Sequence, residues 1–211
     1  MPVYPDIQMN GHTLPMLLRG NAVSAYANLE SSLCMLFATA LGVDQQRAGL
    51  VFYKITNTSS RNGILERLIK LREDQFFAPF WKSVMKLINK IDQERNEIVH
   101  WHFVTEFTDA DGPHITIGDG SQGMSVLRPP ATLFTENKKR KTHADLETFA
   151  NKCEYVTRAV NVLNAVIGTP LSVPETWHEI CRADLPYPPP DTYLLSRNYK
   201  EPDRHPQSAG E

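Results

Sequence analysis

The chain has 211 residues, 41% of them hydrophobic and 22% charged, with a formal net charge of −2 at pH 7. That balance describes a globular chain able to bury a core without staples, and it excludes a globally basic nucleic-acid binder, so any polyanion site must be local. No run approaches the ~18 apolar residues of a membrane span, Cys34, Cys153 and Cys181 form no metal-type pair, and the N-terminus shows no signal region, so the expectation is a cytoplasmic protein without membrane, metal or cofactor.

Residues 1–19 read as an irregular lead. From Asn21 to Leu41, Tyr26, Leu29, Leu33, Leu36, Phe37 and Ala40 recur at helical spacing. The break at "GVD" ends that helix, and Asp44 suits the N-cap of a second one reaching about Ile55. The polar "NTSSRNG" reads as a loop, and "ILERLIKLRE" as a third helix. Pro79 suits the first turn of a fourth helix, which runs to Val99 or beyond. The period then changes to two. Trp101, Phe103, Thr105 and Phe107 fall on one side, "DADG" marks a turn, and "HITIG" and "MSVLR" alternate as well, predicting a small antiparallel sheet.

After the basic "ENKKRKT", a fifth helix is expected from Thr142 to Ile167. Leu146, Phe149, Cys153, Val156, Val160, Leu163 and Ile167 form its face, and Gly168 and Pro170 stop it. The remainder, with "PYPPP", predicts an extended tail without regular helix or sheet, its last dozen residues disordered. The expected fold is mainly α. A five-helix up-and-down bundle occupies 20–168, with a small antiparallel β decoration at about 101–128 and a Pro-rich extended tail over 169–211.

The stretch "ERNEIVHWHF" carries the chemistry. On an ideal helix, at ~100° per residue, Trp81, Val84, Met85, Ile88, Ile91, Ile98 and Val99 form one stripe. Arg95 falls in its middle, where an aliphatic residue would be expected. His100 lies on the polar side with Lys82, Asn89 and Gln93, and Asn96 is one turn before it. A buried unpaired cation costs several kcal/mol, roughly. Two solutions stay open: a carboxylate elsewhere in the core, or a cleft at the helix end where the guanidinium meets phosphate.

"RNEIVHW" at the end of a long helix in a five-helix chain resembles the signature of HEPN domains, over roughly residues 20–168. That resemblance implies an all-helical bundle that homodimerises, bringing two copies of the motif into one cleft. It implies metal-independent endoribonuclease activity of the kind found in toxin, antiphage-defence and RNA-processing systems. Other members of the family have lost catalysis and bind a partner protein or RNA. By position, the catalytic residues would be Arg95, Asn96 and His100. Histidine exchanges protons near neutral pH, arginine stabilises charge on an attacked phosphate, and asparagine orients either.

One toxin branch carries a tyrosine two residues after the motif histidine, where a nucleotidyltransferase modifies it. Here that position is His102. A cognate antitoxin or partner protein stays an expectation, but not by that route. The two-fold axis is expected near the Lys82–Asn89–Gln93–His100 face. Lys82 and Lys86 on the flank, with Lys138, Lys139 and Arg140 of "KKRK", are candidate RNA contacts. The competing reading of such charges is a solvated surface. His100 and His102 would face one way in a strand, but no third ligand accompanies them, so no metal site is expected.

Overall fold

The computed structural model describes residues 13–109, 112–116, 124–130 and 139–199. Among these run α1 (Thr13–Leu41), α2 (Gln45–Phe52), α3 (Thr58–Lys70) and α4 (Ala78–His100). Strands β1 (His102–Asp109), β2 (Gly112–Thr116) and β3 (Met124–Arg128) follow, then α5 (His143–Gly168), a 3-10 turn at Pro170–Ser172 and α6 (Glu175–Arg182). No helix among the described residues is long and apolar enough to cross a membrane.

The helix ends follow from local chemistry. Gly42 has φ 68°, which an L side chain rarely adopts, and this lets the Val43 amide return to the Ala38 carbonyl at 3.1 Å and close α1. Asp44 caps α2 by accepting from the Arg47 amide at 2.8 Å. Asn57 caps α3 by accepting from the Ser60 amide at 2.9 Å. Thr142 and Asp145 form a reciprocal capping box on α5.

Four expectations are corrected. The lead is not irregular through residue 19, because α1 already begins at Thr13; Pro15 sits in its first turn, where no intrahelical N–H bond is lost. "NTSSRNG" is not a loop: after the Asn57 cap its residues form the first turns of α3, held by contacts that bury Arg61 and Asn62. The helices number six among the described residues, since "ETWHEICR" in the expected extended tail forms α6 and buries Cys181. Pro174 stands just outside that helix as its N-cap, so the prolines delimit α6 rather than forbid it. The end of α2 also comes earlier than Ile55.

Beyond α6 the chain straps across α5. Tyr155 donates to the Pro186 carbonyl at 2.7 Å, Arg158 to the Leu195 carbonyl at 3.0 Å, and Arg197 to Asn151 at 2.7 Å. Leu185 and Leu195 are buried with the core. The expectation of disorder in the last dozen residues lies outside the described residues.

The stripes read from α4 and α5 are buried as expected, apart from a half-buried Arg95 and Val99. The long helices α1 and α5 run in one sense and α4 in the other. Gly168 lies against Thr39, Tyr26 meets Asp92, and Lys152 meets Glu94. The sheet has the antiparallel order β2-β1-β3, with Phe103 opposite Leu127 and Thr105 opposite both Ser125 and Thr116. Its burial does not alternate as expected: Val104 and Thr105 are both buried, because β1 is the middle strand and its base is covered on both faces. Leu127 and Lys141 exchange backbone hydrogen bonds of 2.8 and 2.9 Å, which ties the start of α5 to the sheet. Only Trp101 separates α4 from β1, so the helix end is fixed against this sheet.

Candidate functional site at the end of the fourth helix

Arg95 is half-buried, and its guanidinium lies 5.4 Å from the centre of the Tyr26 ring on α1. Its Nη1 donates to Asn96 Oδ1 at 3.2 Å. Among the described residues it forms no ion pair with a carboxylate. Stacking on an aromatic face and keeping one side toward solvent is a third way to hold a cation on an apolar stripe.

Asp92, one turn earlier, is already occupied. It accepts from the Tyr26 hydroxyl and from Asn62 Nδ2, both at 2.8 Å. Burial pushes its carboxyl above the usual carboxylate range, against the pull of those two hydrogen bonds. Burial, followed by the charge of Asp92, pushes the Tyr26 hydroxyl well up. The ring that carries Arg95 is therefore a neutral phenol, anchored by its oxygen.

The arginine buried among the helices is Arg61, on α3; Arg128 of β3 is buried in the sheet. Its side chain is 6% exposed, it pairs with Glu30 of α1, and its guanidinium lies 4.5 Å from the Phe52 ring centre. Its Nε is buried without an acceptor. Sequence reasoning missed Arg61 and Asn62 because it placed them in a loop. The signal was present: with Asn57 read as a cap, Arg61, Leu65 and Ile69 fall four apart on one buried face.

Asn96 and His100 are exposed, one turn apart, and His100 has no hydrogen-bond partner among the described residues. They share the outer face of α4 with Lys82, Lys86, Asn89, Lys90 and Gln93, all exposed. None of the three lysines is ion-paired among the described residues. At ~1.5 Å rise per residue, Lys86 and Lys82 stand roughly 21 and 27 Å along the axis from His100. The helix end also receives Arg19 of α1, which donates to the Val99 carbonyl and lies 5.6 Å from the Phe103 ring centre. Arg19 lies in the stretch expected to be an irregular lead, and no local pattern marks it.

Glu97, inside the motif, gathers the basic run. Lys139 and Lys141 reach its carboxylate at 2.8 and 2.9 Å, and their ammonium groups lie 5.1 and 5.8 Å from the Trp101 ring centre. Burial acts upward on the Glu97 carboxyl, but hydrogen bonds and charge from the two lysines hold it below its usual value. Arg140 and Arg128 both pair with Glu106. Lys139 and Arg140 are thus matched by carboxylates rather than presented bare, while Lys138 lies outside the described residues.

Beside this helix end, α1 exposes an apolar face. From Thr13 to Leu29 its one charged residue is Arg19. Met16 and Leu17 are 63% and 56% exposed. Met16, Arg19, Gly20, Val23, Ser24 and Phe103 line an open groove of about 520 Å³. Among the described residues no three His, Cys, Asp or Glu side chains gather as a metal ion would require, and the three cysteines are free and buried. No family model, no curated protein and no solved structure matches this chain.

Proposed function

We propose that the chain is a HEPN-like, metal-independent endoribonuclease acting at a cleft shared by two copies. The observation that carries this reading is the state of the motif. Among the described residues, a half-buried guanidinium without a carboxylate stands next to an exposed amide and an exposed imidazole without a hydrogen-bond partner. A phosphodiester would supply the anion that Arg95 lacks.

In the proposed step, one His100 removes the proton of a ribose 2′-OH. The 2′-oxygen forms a bond to phosphorus, the bond from phosphorus to the 5′-oxygen breaks, and that oxygen takes a proton from the second imidazole or from water. Arg95 stabilises charge on the non-bridging oxygens, and Asn96 orients the phosphate. The products carry 2′,3′-cyclic phosphate and 5′-hydroxyl ends.

For the second copy we favour the α1 face over the lysine face of α4. A two-fold axis at the Lys82–Asn89–Gln93–His100 face would bring lysines that have no ion-pair partner among the described residues against their own copies. The α1 face is nearly uncharged, and its exposed Gly20, Ser24 and Ala27 allow close helix approach. The resemblance also implies a toxin or antiphage-defence setting.

A second reading, an inactive module that binds a partner protein or RNA, is favoured by one observation: Glu97 and Glu106 already match Lys139, Arg140 and Lys141 of the basic run. The deciding experiment incubates the purified protein with total RNA in EDTA beside His100→Ala. Cleavage by the wild type alone, with cyclic phosphate ends, supports the enzyme. No cleavage by a protein that light scattering shows to be dimeric supports the module.

A further inference from the structure

A second cavity, of about 410 Å³, lies at the opposite end of the bundle. The chain leading from α3 into α4, the C-terminal end of α5, and α6 enclose it. Arg95 lies 17 residues along α4 from Ala78, so roughly 25 Å separates this cavity from the motif.

Its wall is cationic on one side. Arg72 is half-buried and anchored by donating from Nη2 to the Ile167 carbonyl at 3.1 Å. It makes no ion pair among the described residues, and its Nε is buried without an acceptor. Arg182 lies 5.9 Å from the Phe76 ring centre, and its contact with Glu175, at 3.4 Å, is exposed. His178 packs on the same ring at 5.9 Å and donates to the Pro170 carbonyl at 3.1 Å. Phe76 thus holds both side chains at the cavity wall. The one carboxylate of the lining is Asp74, exposed at the rim. Phe77 and Val166 also line the cavity but are themselves buried, so the half-buried Phe76 is its more accessible apolar surface.

An anchored, half-buried guanidinium without a counter-ion favours an incoming anion, because the alternative is an uncompensated charge. The volume falls in the range of small-ligand sites. We propose that this cavity binds a small phosphomonoester of mononucleotide size. Its phosphate meets Arg72, Arg182 and His178, and its organic body lies against Phe76. This site is independent of the ribonuclease reading and shares no residue with it.

The test titrates the full-length chain calorimetrically with AMP, inorganic phosphate and adenosine. AMP is expected to bind, phosphate more weakly because it lacks the body, and adenosine at least about tenfold more weakly than AMP. One lost charge-assisted hydrogen bond accounts for that factor. Arg182→Ala removes an exposed side chain, so the fold is retained, and it is expected to weaken AMP binding about tenfold or more. Arg72→Ala is expected to do the same, with circular dichroism checking that the cap on α5 has not been lost. No AMP binding up to about 10 mM overturns the proposal. Adenosine binding as tightly as AMP, or AMP binding unchanged in Arg182→Ala, also overturns it.

Discussion

Removing Arg61 tests which arginine belongs to the core. Its side chain is 6% exposed, and Glu30, its partner, keeps 24%. Breaking one half of a buried pair costs about 3–5 kcal/mol, because the remaining charge stays buried. The low end applies here, since Glu30 retains some water. Losing the contact with Phe52 at 4.5 Å adds to the cost, and removing the orphaned Nε subtracts from it. These two effects are each on the order of 1 kcal/mol and oppose one another. Arg61→Ala should therefore destabilise by about 3 kcal/mol. At roughly 2–4 °C per kcal/mol for a chain of this length, Tm should fall by about 6–12 °C. The double variant Arg61→Met with Glu30→Met should recover most of that loss, because neither partner is then stranded. Thermal and urea unfolding followed by circular dichroism measure both. A single variant within about 0.5 kcal/mol of wild type, or a double variant no better than the single, would refute the reasoning.

Arg95→Ala should behave oppositely. It loses one partly exposed contact with Tyr26, worth about 0.5–1 kcal/mol, while RNA cleavage falls and Arg95→Lys rescues little for want of the planar fork. A Tm lowered by about ten degrees would make it a core residue after all. Asp92→Asn has a pH signature. The native carboxyl has a raised pKa, so its stabilising share is present when protonated and is lost as pH rises from about 3.8 through the folded value. Wild type should therefore gain stability relative to Asp92→Asn on acidification across that window in urea titrations, and a flat difference would count against a buried Asp92. The thiols of Cys153 and Cys181, both buried and pushed up to about 12 by desolvation, should resist iodoacetamide at pH 8 until denaturant is added. Rapid labelling of the folded chain would contradict their burial.

Local pattern determined the faces of α4 and α5, the cap at Asp44 and the start of α5 near Thr142, because these depend on residues within a turn or two of one another. It also placed Arg95 at the apolar seam and His100 on the open side, since angular position on a helix is a local quantity. How Arg95 is satisfied was not local. The Tyr26 ring comes from a helix remote in sequence, and the acid beside it is held by Asn62 from a third helix. The polar "NTSSRNG" resembles a loop by composition, yet burying Arg61 against Glu30 and Phe52 favours helix over the local preference of its serines and glycine. In the same way, the prolines of the tail limit its regular structure locally, while Tyr155 and Arg158 of α5 supply the donors that bind its backbone to the bundle. The basic run differs most from its composition. "KKRK" is a cationic surface on paper, and only the return of the chain to Glu97 and Glu106 decided that Lys139, Arg140 and Lys141 meet carboxylates, because an ion pair is set by distance in space rather than by spacing along the chain.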